Sequence, residues 1–299
     1  MTMPADGPAD GPDNLGSALM LRLATGRERL RALAAEAAER PERSVHEFRK
    51  ELRRLRSVVR LLRGSVEAEP LAAAEAELRG AFRATNALRD GDVLRALLRS
   101  TGIGKSNRRV LRRTFAVVGA VPGTSHAVDG ENADSAAPVL ACAAADAAAT
   151  LAALEALCGQ GVPLNGIALA LEQRAQKARR AWRRTGRDGL DPDIHDWRKR
   201  VKEVRHSLEW LAEVGLVRPR ASRAWARLAK RLGGVTDLLI LLERVDALPA
   251  EHRRALRRCR KDLRRRVARR TRRLVREYGA LMEAGAPAPV LPEAGAPAD

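Results

Sequence analysis

A twelve-residue pattern occurs twice in this chain, 149 positions apart, and constrains the fold more than any other feature of the sequence. The first copy reads VHEFRKELRRLR from Val45, and the second reads IHDWRKRVKEVR from Ile194, aligned without a gap. Farther along, Asp90 and Asp237 open matching apolar runs at an offset of 147. Internal similarity predicts repeated structural units. We therefore expect two similar halves in a pseudo-twofold arrangement.

Apolar residues recur at helical spacing in both copies. From Val45 they step by 3, 4, 3, 4 and 3 positions to Leu62, and the same steps run from Ile194 to Leu211. Leu, Ala, Arg and Glu dominate the remainder, and the period-two alternation of strands is missing. The sequence predicts an all-α fold.

Glycine, proline and charge divide the chain into five predicted segments. They are an acidic flexible tail at 1–14, a first helical half at 15–120, a flexible linker at 121–137, a second helical half at 138–280 and a flexible tail at 281–299. Within the second half, separate helices are predicted at about 219–233 and 236–247, with Asp237 at the N-cap or in the first turn of the latter. A single basic helix is predicted at 250–279.

Each repeated helix carries a row of basic residues one position beyond its apolar seam. The first row is His46, Arg49, Arg53, Arg56, Arg60 and Arg63; the second is His195, Arg198, Lys202 and Arg205; Lys50, Arg54 and Lys199 flank them. Like charges at i,i+4 repel by a few tenths of a kcal/mol per pair. A single charged row is more often a solvated face, but its recurrence on a second helix favours an anionic ligand.

Phosphate is the anion that such rows fit. Arginine matches phosphate oxygens in a bidentate fashion, and the first row extends over roughly 26 Å, which suits a linear polymer better than a small metabolite. His46 and His195 stand at the head of the two rows. A histidine near a helix start is most often structural, but matching positions favour a role in contacting phosphate or lining a cavity.

The charge balance agrees with a polyanionic partner. The chain has 56 Lys+Arg against 37 Asp+Glu, a formal net charge of +19. Aromatic residues make up only 3%, which argues against proteins that stack bases on a sheet. The three cysteines have no metal-ligand spacing, so neither a metal nor a cofactor is predicted, and they fit a reducing cytoplasm. No secretory signal or membrane span is predicted.

Catalysis is not predicted. Gly102–Ser106 superficially resembles a P-loop but lacks the first glycine and does not follow a strand. The carboxylates near the basic rows are scattered and form no metal-binding cluster. Two alternatives remain open: a nucleic-acid-binding protein that uses the same rows on a sugar-phosphate backbone, and an enzyme acting on phosphorylated substrates such as a polyphosphatase.

At these residues the sequence resembles the CHAD family, whose signature helix contains an apolar residue, His, an apolar residue and Arg, then a basic pair and a further Arg. The segments Arg89–Val93 and Leu232–Asp237 are similar to the turns that follow it in each half. The resemblance covers about residues 16–280. The second copy departs from the pattern at Glu203, Thr236 and Glu209, which predicts that this part of the second half binds the ligand more weakly.

The resemblance implies two four-helix bundles, related by a pseudo-twofold axis, around a basic central groove. Members of the family bind inorganic polyphosphate and occur on polyphosphate granules. The groove residues it implies are His46, Arg49, Lys50, Arg53 and Arg56 in the first half, and His195, Arg198, Lys199, Lys202 and Arg205 in the second; Arg60 continues the first row. The expected function is therefore non-catalytic polyphosphate binding.

Overall fold

The computed structural model describes residues 13–85, 88, 104–117, 131–188, 191–287 and 289 of the 299-residue chain. Within these ranges the α-helices are α1 (Asp13–Ala35), α2 (Pro41–Leu61), α3 (Ala68–Ala84), α4 (Lys105–Val117), α5 (Glu131–Cys158), α6 (Leu164–Asp188), α7 (Asp191–Glu213), α8 (Pro219–Asp246), α9 (Ala250–Ala255), α10 (Arg257–Glu277) and α11 (Gly279–Ala284). A 3-10 turn, Glu36–Ala38, follows α1. The predicted all-α class is confirmed.

The helices pack as two groups of four. In the first, α5 packs on α1 and α3, and α2 contacts α1, α3 and α5. In the second, α7 packs between α6 and α8, and α10 packs on α8 and α6. Helix α2 joins the groups because it contacts both α6 and α7. The pseudo-twofold relation between them stays a prediction.

The apolar seams of the two repeated helices form the centre of the core. Phe48, Leu52 and Leu55 of α2 are 0% exposed, as are Trp197 and the other seam residues of α7. Each such side chain stabilises the fold by about 1.5–3 kcal/mol. Both helices are followed by a glycine with positive φ, Gly64 after α2 and Gly215 after α7, where a side chain would be strained.

Helix α5 differs from the prediction in its start and in its neighbours. It begins at Glu131, inside the segment predicted as a linker, and continues through Pro138. The predicted boundary between 137 and 138 placed this helix in the second half, but it packs on α1 and α3 of the first group. Its buried face is made of Ala and Leu, which fit many partners, so the sequence could not assign it to one half.

Helix α8 is continuous through Gly233 and Gly234, and the predicted break there is wrong. Each helical glycine costs about 1 kcal/mol relative to alanine. Burial of flanking apolar residues such as Leu232 and Val235 offsets that cost. The hydroxyl of Thr236 donates to the carbonyl oxygens of Leu232 and Gly233, at 3.2 and 3.0 Å. Asp237 therefore lies inside a helix rather than at its start.

The C-terminal region is divided more finely than predicted, and its ordered part extends farther. The expected single helix at 250–279 is three helices, α9, α10 and α11. Residues 281–284 belong to α11, although the flexible tail was predicted from 281. Arg179 of α6 holds α11 by donating to the carbonyl oxygens of Met282 and Glu283, at 2.8 and 2.9 Å.

One helix in the described part of the chain, over Ala136–Cys158, is long and apolar enough to cross a membrane by length and composition. The segment is interrupted by Asp146 and Glu155, and the expectation that the chain has no membrane span stays a prediction. Its leucines, including Leu140, Leu151 and Leu154, are 0% exposed and belong to the core, where a buried helix has the same composition.

Several predicted features lie outside the described residues. They are the tail at 1–12, the turn at Arg89–Val93 with Asp90, the linker at 121–130 and the tail from 290.

Candidate functional site: a basic cleft between two helices

A cleft of about 500 Å³ lies where the two repeated helices approach each other beside α3. Helix α2 contributes Arg53, Arg56, Ser57 and Arg60; α3 contributes Arg79 and Phe82; α7 contributes His195, Arg198, Lys199, Lys202, Glu203 and His206. Seven of these described side chains are Arg or Lys, and one is a carboxylate. We refer to this set as the basic cleft.

The amphipathic pattern of α2 and α7 explains why these cations line a cavity. A residue one position beyond a seam residue lies about 100° farther round the helix, so its side chain emerges at the edge of the core. Arg53 follows buried Leu52, and Arg56 follows buried Leu55. In α7, Arg198 follows buried Trp197 and Lys202 follows buried Val201. The two edges meet at the cleft.

Phe82 organises the arginines of α2. The guanidinium carbons of Arg49, Arg56 and Arg53 lie 4.1, 5.6 and 6.0 Å from the centre of its ring. Cations at these distances are attracted to the negative face of an aromatic ring, by about 0.5–2 kcal/mol each. The ring therefore keeps the three guanidinium groups close together, although they repel one another.

Positive charges within the cleft repel one another. Burial lowers the pKa of Arg56, and repulsion from Arg60 and Arg79 lowers it further, while Glu203 and Glu75 oppose these effects. Binding of an anion at such arginines is favourable, because the anion replaces the hydration lost on burial and cancels the repulsion between the guanidinium groups.

Two carboxylates hold the Arg60 end of the cleft. Glu203 Oε1 lies 2.6 Å from Arg60 Nη1, and its other oxygen lies 3.3 Å from Arg200 Nη1. Glu75 of α3 accepts two hydrogen bonds from Arg63, at 2.7 and 2.6 Å. Removing one partner from such part-buried pairs leaves a charge uncompensated.

A further cation, Arg174, is buried next to the residues that line the cleft. Arg174 of α6 is 7% exposed and donates from Nη1 to the carbonyl oxygen of Ser57, at 3.1 Å, and to the hydroxyl of Ser207. Its Nη2 has no hydrogen-bond partner within the described structure. Burial lowers the pKa of this guanidinium to about 9, with Glu203 opposing the change and Arg60 adding to it. Arg174 adds positive potential to the cleft from inside the protein.

The cleft brings together part of each predicted row. Of the eleven residues predicted as the site, those that line it are Arg53, Arg56, Arg60, His195, Arg198, Lys199 and Lys202. The contribution of α2 thus comes from the C-terminal part of its row, and that of α7 comes from the N-terminal part.

The other four predicted residues lie outside the cleft lining. His46 is 72% exposed and 4.0 Å from Glu47, which also pairs with Lys50 at 3.0 Å. Arg205 pairs with Glu209 at 2.7 Å.

Arg49 is a structural residue. It is 4% exposed and donates from Nη1 to Thr85 Oγ1 and to the Phe82 carbonyl oxygen, at 2.7 and 3.2 Å.

Sequence reasoning missed the contribution of α3 and left His206 unassigned. Arg79 and Phe82 are three positions apart, which places them on one face of a helix. That spacing, together with the scarcity of phenylalanine in the chain, is the only signal that pointed to them. His206 lines the cleft, and its Nδ1 lies 3.1 Å from Glu209 Oε2.

The chemistry of the cleft is that of cationic hydrogen-bond donors. Guanidinium and ammonium groups from three helices face one cavity, and Ser57 and the two imidazoles add further polar atoms. Such a set can hold several anionic oxygens at once. Among the residues that the structure describes, no group of three or more His, Cys, Asp or Glu could hold a metal ion.

Comparisons with known proteins agree on one family. A family model described as the CHAD domain matches residues 23–245. The crystal structure of the CHAD domain from the plant Ricinus communis is similar to this chain, with a TM-score of 0.61 and 22% identity over 93% of this chain and 94% of that one. Similarity at this identity establishes the fold. A search of curated proteins found no match. Because the family model covers well over half of its length, the chain belongs to the CHAD domain family.

Proposed function

We propose that this protein binds linear inorganic polyphosphate in the basic cleft and supplies no chemistry of its own. The observation that carries the proposal is the composition of the cleft, whose described lining contains seven Arg or Lys side chains from three helices and one carboxylate. Membership of the CHAD family agrees with a binding role. Such binding would place the protein on polyphosphate granules in the cytoplasm.

The electrostatics of the unliganded cleft favour this ligand. Repulsion among Arg56, Arg60 and Arg79 is relieved when phosphates lie between them. Arginine forks pair with phosphate oxygens in a bidentate fashion, and such charge-assisted hydrogen bonds are about twice as strong as neutral ones. Release of counterions from the polymer adds a favourable entropy that falls as salt rises.

The shape of the site favours a thin polymer over a duplex. The cations lie inside a cavity of about 500 Å³ between helices, with Phe82 and Ser57 in its wall. A strand of phosphates with no bases attached can enter such a cavity. A nucleic-acid duplex carries its phosphates on the outside of a wide cylinder and would contact only the rim.

A titration of labelled long-chain polyphosphate against the purified protein at physiological salt tests the proposal. We expect tight binding that matched concentrations of duplex DNA displace poorly. The double variant Arg53→Glu with Arg198→Glu should weaken it by at least 100-fold, about 2.7 kcal/mol, with helix content unchanged in circular dichroism.

The matched control is Arg220→Glu with Arg223→Glu, which reverses two charges at exposed positions of α8. It should lose far less affinity than the cleft variant. Equal losses in the two variants, or efficient displacement by DNA, would show a general polyanion surface and overturn the assignment to the cleft.

A further inference from the structure

Helix α10 carries a second basic surface, separate from the cleft lining. Six exposed cations recur along it at steps of 3, 4, 4, 3 and 4: Arg258, Lys261, Arg265, Arg269, Arg272 and Arg276. At roughly 100° of rotation per residue these positions share a sector of about 80°, and the row is about 27 Å long. We call these six residues the α10 row.

The α10 row faces away from the helices against which α10 packs. Helix α10 packs on α8 and α6, and its buried residues are Cys259, Leu263, Val267, Thr271 and Leu274. The row lies on roughly the opposite side of the helix from these residues. It therefore forms a convex ridge at the surface, whereas the basic cleft is a cavity between helices.

The residues of the α10 row form no ion pair within the described part of the chain. The carboxylates nearby pair with other arginines of α10: Asp246 with Arg260 and Arg264, Asp262 with Arg266, and Glu277 with Arg273. Cations at i,i+4 on a helix repel each other. An anion bound along the row relieves that repulsion.

Helix α4 extends the positive charge beyond the row. Asn107 Nδ2 of α4 donates to Asp262 Oδ2 of α10 at 3.4 Å. Asp262 lies one helical turn from Arg258 and Arg265, so α4 adjoins the row at this point. Helix α4 has no carboxylate, and its exposed cations are Lys105, Arg109, Arg112 and Arg113. Two basic helices thus meet beside the row, which makes the charged surface broader than a single line.

The residue types exposed on α10 restrict what can bind there. Every exposed position from Arg257 to Arg276 is Arg, Lys or Ala. Insertion into a lipid surface requires large apolar side chains, and α10 exposes none over this range. Stacking of unpaired bases requires aromatic side chains, and none is exposed there either. The surface is therefore suited to contact with phosphate groups.

The convex shape of the surface favours a different polyanion from the one that fits the cleft. A nucleic-acid duplex carries its phosphates on the outside of a wide cylinder, where a ridge of cations can contact them and a cavity between helices cannot. The length of the row corresponds to about eight base pairs of a duplex. Contacts to phosphate position a protein on a duplex but read no sequence.

We propose that the α10 row, with the adjoining cations of α4, binds the phosphate backbone of double-stranded nucleic acid without sequence preference. The basic cleft is a separate site, so the protein can hold polyphosphate in the cleft and a duplex on α10 at the same time. This inference goes beyond the proposed function and does not depend on it, because the row contains no residue of the cleft.

Titration of a labelled mixed-sequence DNA duplex of about 20 base pairs, with an RNA duplex of the same sequence alongside, tests the proposal. Binding of either duplex by the parent supports it. The triple variant Arg265→Ala, Arg269→Ala, Arg272→Ala should bind the duplex at least tenfold more weakly. The slope of log affinity against log salt should fall by about 2.7, because three phosphate contacts are lost. Affinity of the same variant for polyphosphate at the cleft should stay within about threefold of the parent.

Two controls separate a local effect from net charge. Arg220→Ala, Arg223→Ala, Arg227→Ala removes three exposed charges at similar helical spacing from α8, and should keep the duplex affinity within about twofold of the parent. The cleft variant Arg53→Glu with Arg198→Glu should lose polyphosphate and keep the duplex. Circular dichroism of all variants checks that the helices remain folded.

The outcomes distinguish this inference from the proposed function. A parent that binds polyphosphate but no duplex overturns the inference alone, and a parent that binds a duplex but no polyphosphate overturns the proposed function alone. Duplex losses of equal size in the α10 variant and either control would show that binding follows net charge, and would contradict the site.

Two results would assign the α10 row to another partner and overturn the proposal. An α10 variant that loses polyphosphate as strongly as it loses the duplex would make the row a second polyphosphate site. An α10 variant that keeps the duplex but no longer binds vesicles of anionic lipid would make it a membrane-contacting surface.

Discussion

In the first copy of the repeated helix Arg49 is enclosed by α3, whereas in the second copy its counterpart Arg198 lines the cleft. Arg49 lies against the Phe82 ring and bonds Thr85. Arg198 instead faces Gly233, which has no side chain to cover it. The same residue in the same motif is thus a packing residue in one half and a candidate ligand-binding residue in the other.

The comparison extends along both rows. The first row reaches the cleft only from Arg53 onward, and the second leaves it after Lys202, where Glu203 interrupts the positive charge. Near the end of α7, Arg205 pairs with Glu209 rather than facing the cleft. A repeated sequence therefore does not require a symmetric site, because neighbouring helices decide which part of each row is used.

The largest expected effect distinguishes these two arginines. Arg49→Ala should lower the free energy of unfolding by about 3 kcal/mol, because it removes buried charge-assisted hydrogen bonds and the contact with Phe82. Arg198→Ala should lower it by only about 1 kcal/mol, because Arg198 is half-buried rather than buried, but should weaken polyphosphate binding about tenfold. Urea denaturation and a binding titration measure the two quantities.

The contrast fails if both substitutions reduce binding equally and leave stability unchanged. That result would mean that Arg49 reaches the ligand, and the two copies would be equivalent.

The sequence was sufficient to predict the helices and the rows because both depend on local periodicity. The steps of 3 and 4 from Val45 to Leu62 specify a buried face, and the adjacent residues must emerge at its edge. The repeat then predicted that the second row would join the first, and Arg53, Arg56, Arg198 and Lys202 do line one cavity.

The burial of Arg49 against α3 was not predictable from the same pattern. It depends on Phe82 and Thr85, which lie 33 and 36 positions away on a different element. The continuity of α8 through Gly233 and Gly234 was likewise hidden, because burial of the surrounding side chains, a tertiary effect, overrides the helix propensity of glycine.

A smaller effect is expected where the second row is interrupted. Glu203→Gln removes the one carboxylate among the described residues of the cleft and releases Arg60 from its 2.6 Å ion pair. Affinity for polyphosphate should rise about fivefold, roughly 1 kcal/mol. A titration at constant salt measures the change.

Glu209→Gln is the matched control because Glu209 is also an ion-paired glutamate of α7 but does not line the cleft. Burial raises the pKa of Glu209, but hydrogen bonds from His206 and Arg205 outweigh this and hold it below its usual range. Its substitution should leave affinity unchanged at neutral pH. A gain from both variants would indicate a long-range field rather than an effect inside the cleft.

The smallest expected effect concerns the two histidines that head the rows. His195 lines the cleft, with Arg198 and Lys199 beside it and Glu243 of α8 at 3.5 Å from its Nε2, whereas His46 is 72% exposed outside the cleft. His195→Ala should weaken polyphosphate binding two- to threefold, about 0.5 kcal/mol, because it removes a hydrogen-bonding ring from the cleft, and His46→Ala should leave the affinity unchanged. A titration of both variants at constant salt measures the difference.

No loss for His195→Ala would show that its imidazole does not reach the ligand. A loss for His46→Ala would instead extend the site along the whole first row and remove the asymmetry between the two copies.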